Sequence, residues 1–346
     1  MDISGQIQEI AGKIMASWNA VEFRKDGNKW NLSSHDGNEL RGIFFTDYSR
    51  ARTSRQPTVA AVDGSSSIIL DAGSFLIGAV RVASVKYRSP LETVEPYVSD
   101  MEIFYITHEN YREIYRREYT DTYGSPPDPG FIPESFGDIV QRIRSMREIK
   151  TADSIIKTME EGDIIMMDGA LKADIDTPKA FLQKLGDESL TRGVTLLGVS
   201  KRSGLSFGHL PLMSLLRKKG SELFPNREWL CSLQESSLIT ENQLGSINLV
   251  SFNQLSDYVF RVDAYPCDAL TRRPEVLSVL SRFSEDPGYL GYPFPLAQVH
   301  NASIIRKQEA DAVAYRIQEA GLAAGLSLTD WEALFMDFHD VLDRGV

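Results

Sequence analysis

Asp163-Ile164-Ile165-Met166-Met167-Asp168-Gly169 is an apolar run of strand length closed by an Asp-Gly pair. Without polar alternation, it suits a strand buried on both faces of a sheet. Toward the N-terminus, residues 136–160 read as a long helix with Ile139, Ile143, Met146, Ile155, Ile156 and Met159 as apolar positions and Gly162 as its stop. Residues 57–87 before it read as an antiparallel meander. Strand Thr58–Val62 leads to the turn Asp63-Gly64-Ser65-Ser66, strand Ser67–Leu70 to the turn Asp71-Ala72-Gly73, and a long strand runs from Phe75 to Tyr87. Met101–Thr107 adds a further strand. Toward the C-terminus come a helix around 178–187, a second buried strand Val194–Val199 and a helix around 209–218.

Meander, helix, strand, helix, strand, helix is the chain order of a ribonuclease H-like core. The expected fold is α/β: a mixed sheet flanked by helices, with an N-terminal helix and a C-terminal α/β extension. The chain divides into 1–56, an N-terminal helix and linker region; 57–220, the core, with a charged, then Pro/Gly-rich insertion near 108–136; and 221–346, a C-terminal part completing the active site, all within one domain overall. Residues 3–18 place Ile3, Ile7, Ile10, Ile14 and Trp18 on one helical face, for packing on the protein's own core or for docking a partner. Residues 20–56 read as a polar, turn-rich linker ending in Arg50, Arg52 and Arg55, a solvated cluster or a phosphate contact. A strand over 258–265 and helices over 302–320 and 329–343 are expected near the C-terminus.

The 346 residues carry 37 Lys and Arg against 48 Asp and Glu, a net charge of −11. Strong nucleic-acid binding by charge alone is therefore not expected, and DNA would need a local basic face or a partner to deliver it. Apolar residues at 42% and charged residues at 25% fit an ordinary globular chain and exclude collagen, coiled-coil and disordered classes. No run approaches the ~18 apolar residues of a membrane span. Met1-Asp2-Ile3-Ser4 lacks the basic start of a signal peptide. With only Cys231 and Cys267, neither a disulfide framework nor a cysteine zinc site can be built, so a cytoplasmic setting is expected.

Asp63-Gly64 and Asp168-Gly169 end strands that this order puts side by side, so two remote carboxylates would converge. A turn alone would also explain each pair. Together they suit a hard divalent cation, Mg²⁺ or Mn²⁺, and two such ions ~3.5–4 Å apart would activate water for phosphodiester hydrolysis. Glu148, on the long helix with Arg142, Arg144 and Arg147, is either a third carboxylate or a surface partner of Arg144. His300, just before a helix expected near Ala302, is a packed histidine, a metal ligand or a proton carrier. Lys201 and Arg202, after Val199, are placed to grip phosphate or to sit solvated. Gly204-Leu205-Ser206-Phe207-Gly208 matches the serine-hydrolase elbow, with Asp263 and His300 in order, but Lys201, Arg202 and Ser203 separate Ser206 from the strand end.

Thr58–Ser65, Ile165–Leu171, Gly198-Val199-Ser200-Lys201 and Gly291–Leu296 followed by His300 together resemble the NurA nucleases, in order from about residue 55 to 310. The resemblance implies a ribonuclease H-like core and manganese-dependent 5′→3′ exonuclease and single-strand endonuclease activity. It also implies a homodimer that docks on the hexameric HerA ATPase for DNA-end resection in a prokaryotic cytoplasm. Asp63 and Asp168 match the family's metal-binding aspartates, Glu148 its helix glutamate (with Glu134 as the alternative), and Tyr292 and His300 its late tyrosine and histidine. Expected DNA contacts are Lys201, Arg202, Arg144 and Arg147. A non-catalytic dimeric adaptor of a HerA-type ATPase, for example in anti-phage defence, is the competing expectation.

Overall fold

A computed structural model describes residues 3–48, 56–90, 92–174, 177–233 and 240–335. The strands are β1 (Val21–Asp26), β2 (Lys29–Ser34), β3 (Glu39–Asp47), β4 (Val59–Asp71), β5 (Phe75–Ser89), β6 (Glu92–Val98), β7 (Glu102–Thr107), β8 (Ile164–Asp168), β9 (Thr195–Ser200), β10 (Ser206–Phe207), β11 (Leu210–Pro211), β12 (Trp229–Leu233), β13 (Ser246–Ser251) and β14 (Phe260–Tyr265). The helices are α1 (Ile3–Asn19), α2 (Tyr111–Tyr123), α3 (Phe136–Ile156), α4 (Lys179–Thr191), α5 (Leu212–Leu223), α6 (Ala269–Arg272), α7 (Pro274–Phe283), α8 (Phe294–Ser303), α9 (Lys307–Ala323) and α10 (Leu328–Leu334).

All strands except the β10–β11 hairpin join one mixed sheet, in the order β1-β2-β3-β12-β13-β14-β9-β8-β4-β5-β6, with β7 also on β5. β8 lies parallel between β4 and β9; the other pairings are antiparallel. The central strands are buried on both sides, which explains their continuous apolar runs. Val59, Ala61, Ile164 and Met166 pack with α7 and α8 on one face. Ala60, Val62, Ile165 and Leu196 pack with α3 and α4 on the other. This is the expected mixed α/β architecture.

Three sequence readings change. First, Asp63-Gly64 is not a turn. β4 runs unbroken from Val59 to Asp71, so the two short strands expected there are one. The reversal falls at Asp71-Ala72-Gly73, where Gly73 has φ +74° and donates its N–H to Asp71 Oδ1 at 2.8 Å. The meander's third lane is filled by β6 and β7, paired with successive parts of β5. Second, residues 21–47, expected within a linker, form β1 to β3, and β3 pairs with β12. The signal was present: Asp26-Gly27 and Asp36-Gly37 are hairpin turns whose glycines have φ +57° and +84°. Third, α1 buries none of its residues, and Ile3, Ile7, Ile10 and Ile14 stand exposed rather than packed on the core. Arg50, Arg52 and Arg55 and the end of the expected last helix lie outside the described residues. The insertion near 108–136 contains α2 and a 3₁₀ turn, Pro129–Phe131. Among the described residues no helix is long and apolar enough to cross a membrane.

Candidate active site

Parallel pairing sets the site. Val62 is registered with Met167, so the next residues along, Asp63 and Asp168, are neighbours. β8 stops at Asp168, whereas β4 continues to Asp71. Asp63 points to the face covered by α8, where His300 Nδ1 lies 2.8 Å from its Oδ2. Ligand atoms of Asp63, Asp168 and His300 all fall within 4.8 Å of one another. His300 does not precede a helix: it sits in the last turn of α8, which starts at Phe294 because Pro293 and Pro295 suit a first turn.

Glu148 approaches from α3. Its carboxylate occupies the space a side chain at position 64 would need, with Oε1 2.7 Å from an ideal Cβ there. Arg144 shares that space and pairs with Glu148. Burial pushes the Glu148 carboxyl up to about 8; the Arg144 guanidinium opposes the rise, and the negative charges of Asp63 and Asp168 reinforce it. Asp63 is also raised, first by burial and then by the Asp168 charge. Glu148 is thus electrostatically coupled to the cluster, although outside its 4.8 Å circle. Glu134 is exposed in the bend before α3.

Tyr292 packs its ring into the same core face, and its buried hydroxyl has no hydrogen-bond partner. Burial, then the Asp168 and Asp63 charges, raise its pKa. Lys201 Nζ bonds Asp168 Oδ2 at 2.6 Å and lies 5.6 Å over the Tyr292 ring. Arg202 is exposed beside it. Arg147, also expected as a DNA contact, has its guanidinium held by Glu118 at 2.8 Å and by Glu102.

The serine-hydrolase constellation is not assembled. Ser206 is exposed in the β10–β11 hairpin rather than on a strand-to-helix elbow. Asp263 is fully buried and committed to Arg261 through bonds of 2.8 and 2.9 Å. Its real position was not visible in the sequence. Asp263 Oδ2 accepts the Leu171 N–H at 2.9 Å, while Gln243 Nε2 donates to the Leu171 carbonyl at 3.0 Å. Both bonds hold the segment that follows Asp168. Gly198 leaves room for it, since a Cβ there would stand 2.6 Å from the Gly169 carbonyl oxygen. Arg261 and Asp263 share one face of an alternating strand, but nothing local in the sequence ties them to Asp168.

Two carboxylates and one histidine, Asp63, Asp168 and His300, form the donor set, with the buried Glu148 carboxyl coupled to it by charge. It fits a hard divalent cation, whose charge relieves the repulsion. Residues 57–206 match the NurA domain. The chain carries a NurA domain. The crystal structure of the NurA nuclease from Sulfolobus solfataricus is similar over 94% of this chain and 96% of that one, with 14% identity and a TM-score of 0.54. A second NurA crystal structure aligns with 82% of this chain and 91% of its own, at 10% identity and a TM-score of 0.48. Endonuclease V of Ciona intestinalis, solved with DNA, aligns with 74% of this chain and 86% of its own, at 12% identity and a TM-score of 0.37. No curated protein sequence matches the chain. All the clustered side chains except His300 and Tyr292 lie inside the matched NurA domain. Those two come from beyond it, on α8 and its approach, so the matched domain does not assemble the cluster alone.

Proposed function

We propose that this chain is a divalent-metal-dependent DNA nuclease. The observation that supports it most is the convergence of Asp63, Asp168 and His300 within 4.8 Å from β4, β8 and α8. Asp63 and Asp168 would hold the cation or cations, Mn²⁺ or Mg²⁺, with Glu148 and His300 completing the donor set. A divalent cation bound there supplies an activated water and neutralises charge on the phosphodiester. His300, held through Nδ1 against Asp63, orients that carboxylate and can carry a proton during hydrolysis. Tyr292 offers its O–H into the cluster, and Lys201 and Arg202 meet phosphate at the mouth. Buried apolar side chains of α7 and α8 dry one side of the site. The action is exonucleolytic, 5′→3′, and endonucleolytic on single strands, in DNA-end processing by a homodimer working with a HerA-type hexameric ATPase in a prokaryotic cytoplasm. A partner that delivers DNA fits a chain of net charge −11.

Asp63→Ala is expected to abolish Mn²⁺-dependent degradation of single-stranded DNA while the protein stays folded by thermal melting. Full activity in that variant would remove the cluster from consideration. One observation favours a second reading, an adaptor of the ATPase with little catalysis: α1 presents a row of isoleucines to solvent, as a docking helix would. An Asp63→Ala/Asp168→Ala variant that retains all biological activity and ATPase stimulation would favour the adaptor.

A further inference from the structure

The segment between β13 and β14 holds two large side chains in water. Leu255 is 77% exposed and Tyr258 66% exposed. Floppy surface residues would need no explanation, but this segment is tied down. Buried Asn253 donates through Nδ2 to the Ser284 carbonyl at 3.2 Å and accepts the Leu255 N–H through Oδ1 at 2.9 Å. Ser256 Oγ donates to the Leu290 carbonyl at 2.9 Å and accepts the Tyr258 N–H at 3.2 Å. Position 291 must be glycine for this contact: its φ is +87°, and a Cβ would stand 2.3 Å from Ser256 Oγ.

The Tyr258 ring continues a row of aromatic rings leading to the carboxylates. It stacks on Phe260 with centroids 6.4 Å apart and 28° between planes. Phe260, buried, meets Tyr292 at 5.1 Å, and Lys201 lies over Tyr292 and bonds Asp168. Arg261 is registered with Ser200, so the start of β14 stands at the same end of the sheet as Lys201 and Arg202.

We propose that Tyr258, flanked by Leu255, is a stacking platform for an unpaired nucleobase of the strand entering the cluster; this rests on the nuclease reading above. A rigid, exposed ring beside a phosphate-cleaving centre presents what any base can use, a π-face, without reading sequence. The neighbouring Asp257 repels phosphate, so the contact is to the base and adds nothing to the salt dependence of binding.

The test uses the full-length chain with Ca²⁺ in place of Mn²⁺ and a short oligo(dT) carrying one 2-aminopurine, moved along the strand. Wild type is expected to quench the fluorophore at one position. Tyr258→Ala loses that quench and binds about 5- to 100-fold more weakly with an unchanged salt slope, while Tyr258→Phe retains both. With Mn²⁺, Tyr258→Ala raises KM for single-stranded DNA more than it lowers kcat. Wild-type quench and KM in Tyr258→Ala, with DNA still degraded, overturn the platform and leave the nuclease reading standing. A wild-type chain that neither binds nor degrades DNA overturns both. Unchanged DNA binding with weaker ATPase docking assigns the two side chains to a protein partner and overturns the platform.

Discussion

Gly64 and Glu148 occupy one space: a Cβ on residue 64 would stand 2.7 Å from Glu148 Oε1 and 3.1 Å from Arg144 Cγ. The glycine is there for the approach of a helix carboxylate, not for a turn. Gly64→Ala is therefore expected to destabilise by about 1–3 kcal/mol through overpacking and to displace Glu148. Chemical denaturation and Mn²⁺ titration calorimetry check it. Wild-type stability together with wild-type metal affinity would show that the two groups do not compete.

Asp263 holds Leu171 in place just beyond Asp168. Asp263→Ala leaves the Arg261 guanidinium buried without its carboxylate and is expected to cost about 3–5 kcal/mol. Asp263→Asn, which keeps an acceptor for the Leu171 N–H, should fold more stably than the alanine variant and still bind Mn²⁺ less tightly than wild type. Unaltered Mn²⁺ affinity in the folded asparagine variant would confine Asp263 to a structural role.

Without metal, stability should fall as pH rises from about 5 to about 8. Glu148, raised to about 8, and Asp63, raised by burial and Asp168, hold protons that the unfolded chain has already released, so rising pH favours unfolding. Melting in chelator across that range measures the effect, and saturating Mn²⁺ should reverse it at the alkaline end. A flat or rising metal-free profile would contradict the burial of these carboxyls.

Tyr292→Phe removes a buried hydroxyl that has no partner in the folded chain. Stability is expected to stay within about 1 kcal/mol of wild type or to rise. DNA degradation should nevertheless drop if the hydroxyl serves the proposed reaction, since its ring already lies under Lys201, the partner of Asp168. Equal activity in both proteins would make the tyrosine a packing residue only.

Much of the architecture could be read from pattern. The β8 and β9 runs are apolar without alternation because both faces are covered, and α3 repeats its isoleucines at helical spacing. The Asp63 and Asp168 pairing could be anticipated as well, since parallel neighbours in that order bring both residues to one end of the sheet. Other features gave misleading local signals. Asp63-Gly64 and Asp26-Gly27 are the same dipeptide, yet one lies inside a strand and the other turns a hairpin. The isoleucine stripe of α1 predicts a buried face as readily as the exposed one it has.

The amino-acid sequence by itself determined the element types of the core, their order, and which aspartates could meet, because periodicity and strand burial are written in neighbouring residues. Only the tertiary structure decided that Glu148 takes the space beside Gly64, that Asp263 braces the chain after Asp168, and that Tyr258 stacks on Phe260, which meets Tyr292. Those relationships depend on helix phase against the sheet and on register between strands far apart in the chain, distances that no local pattern encodes.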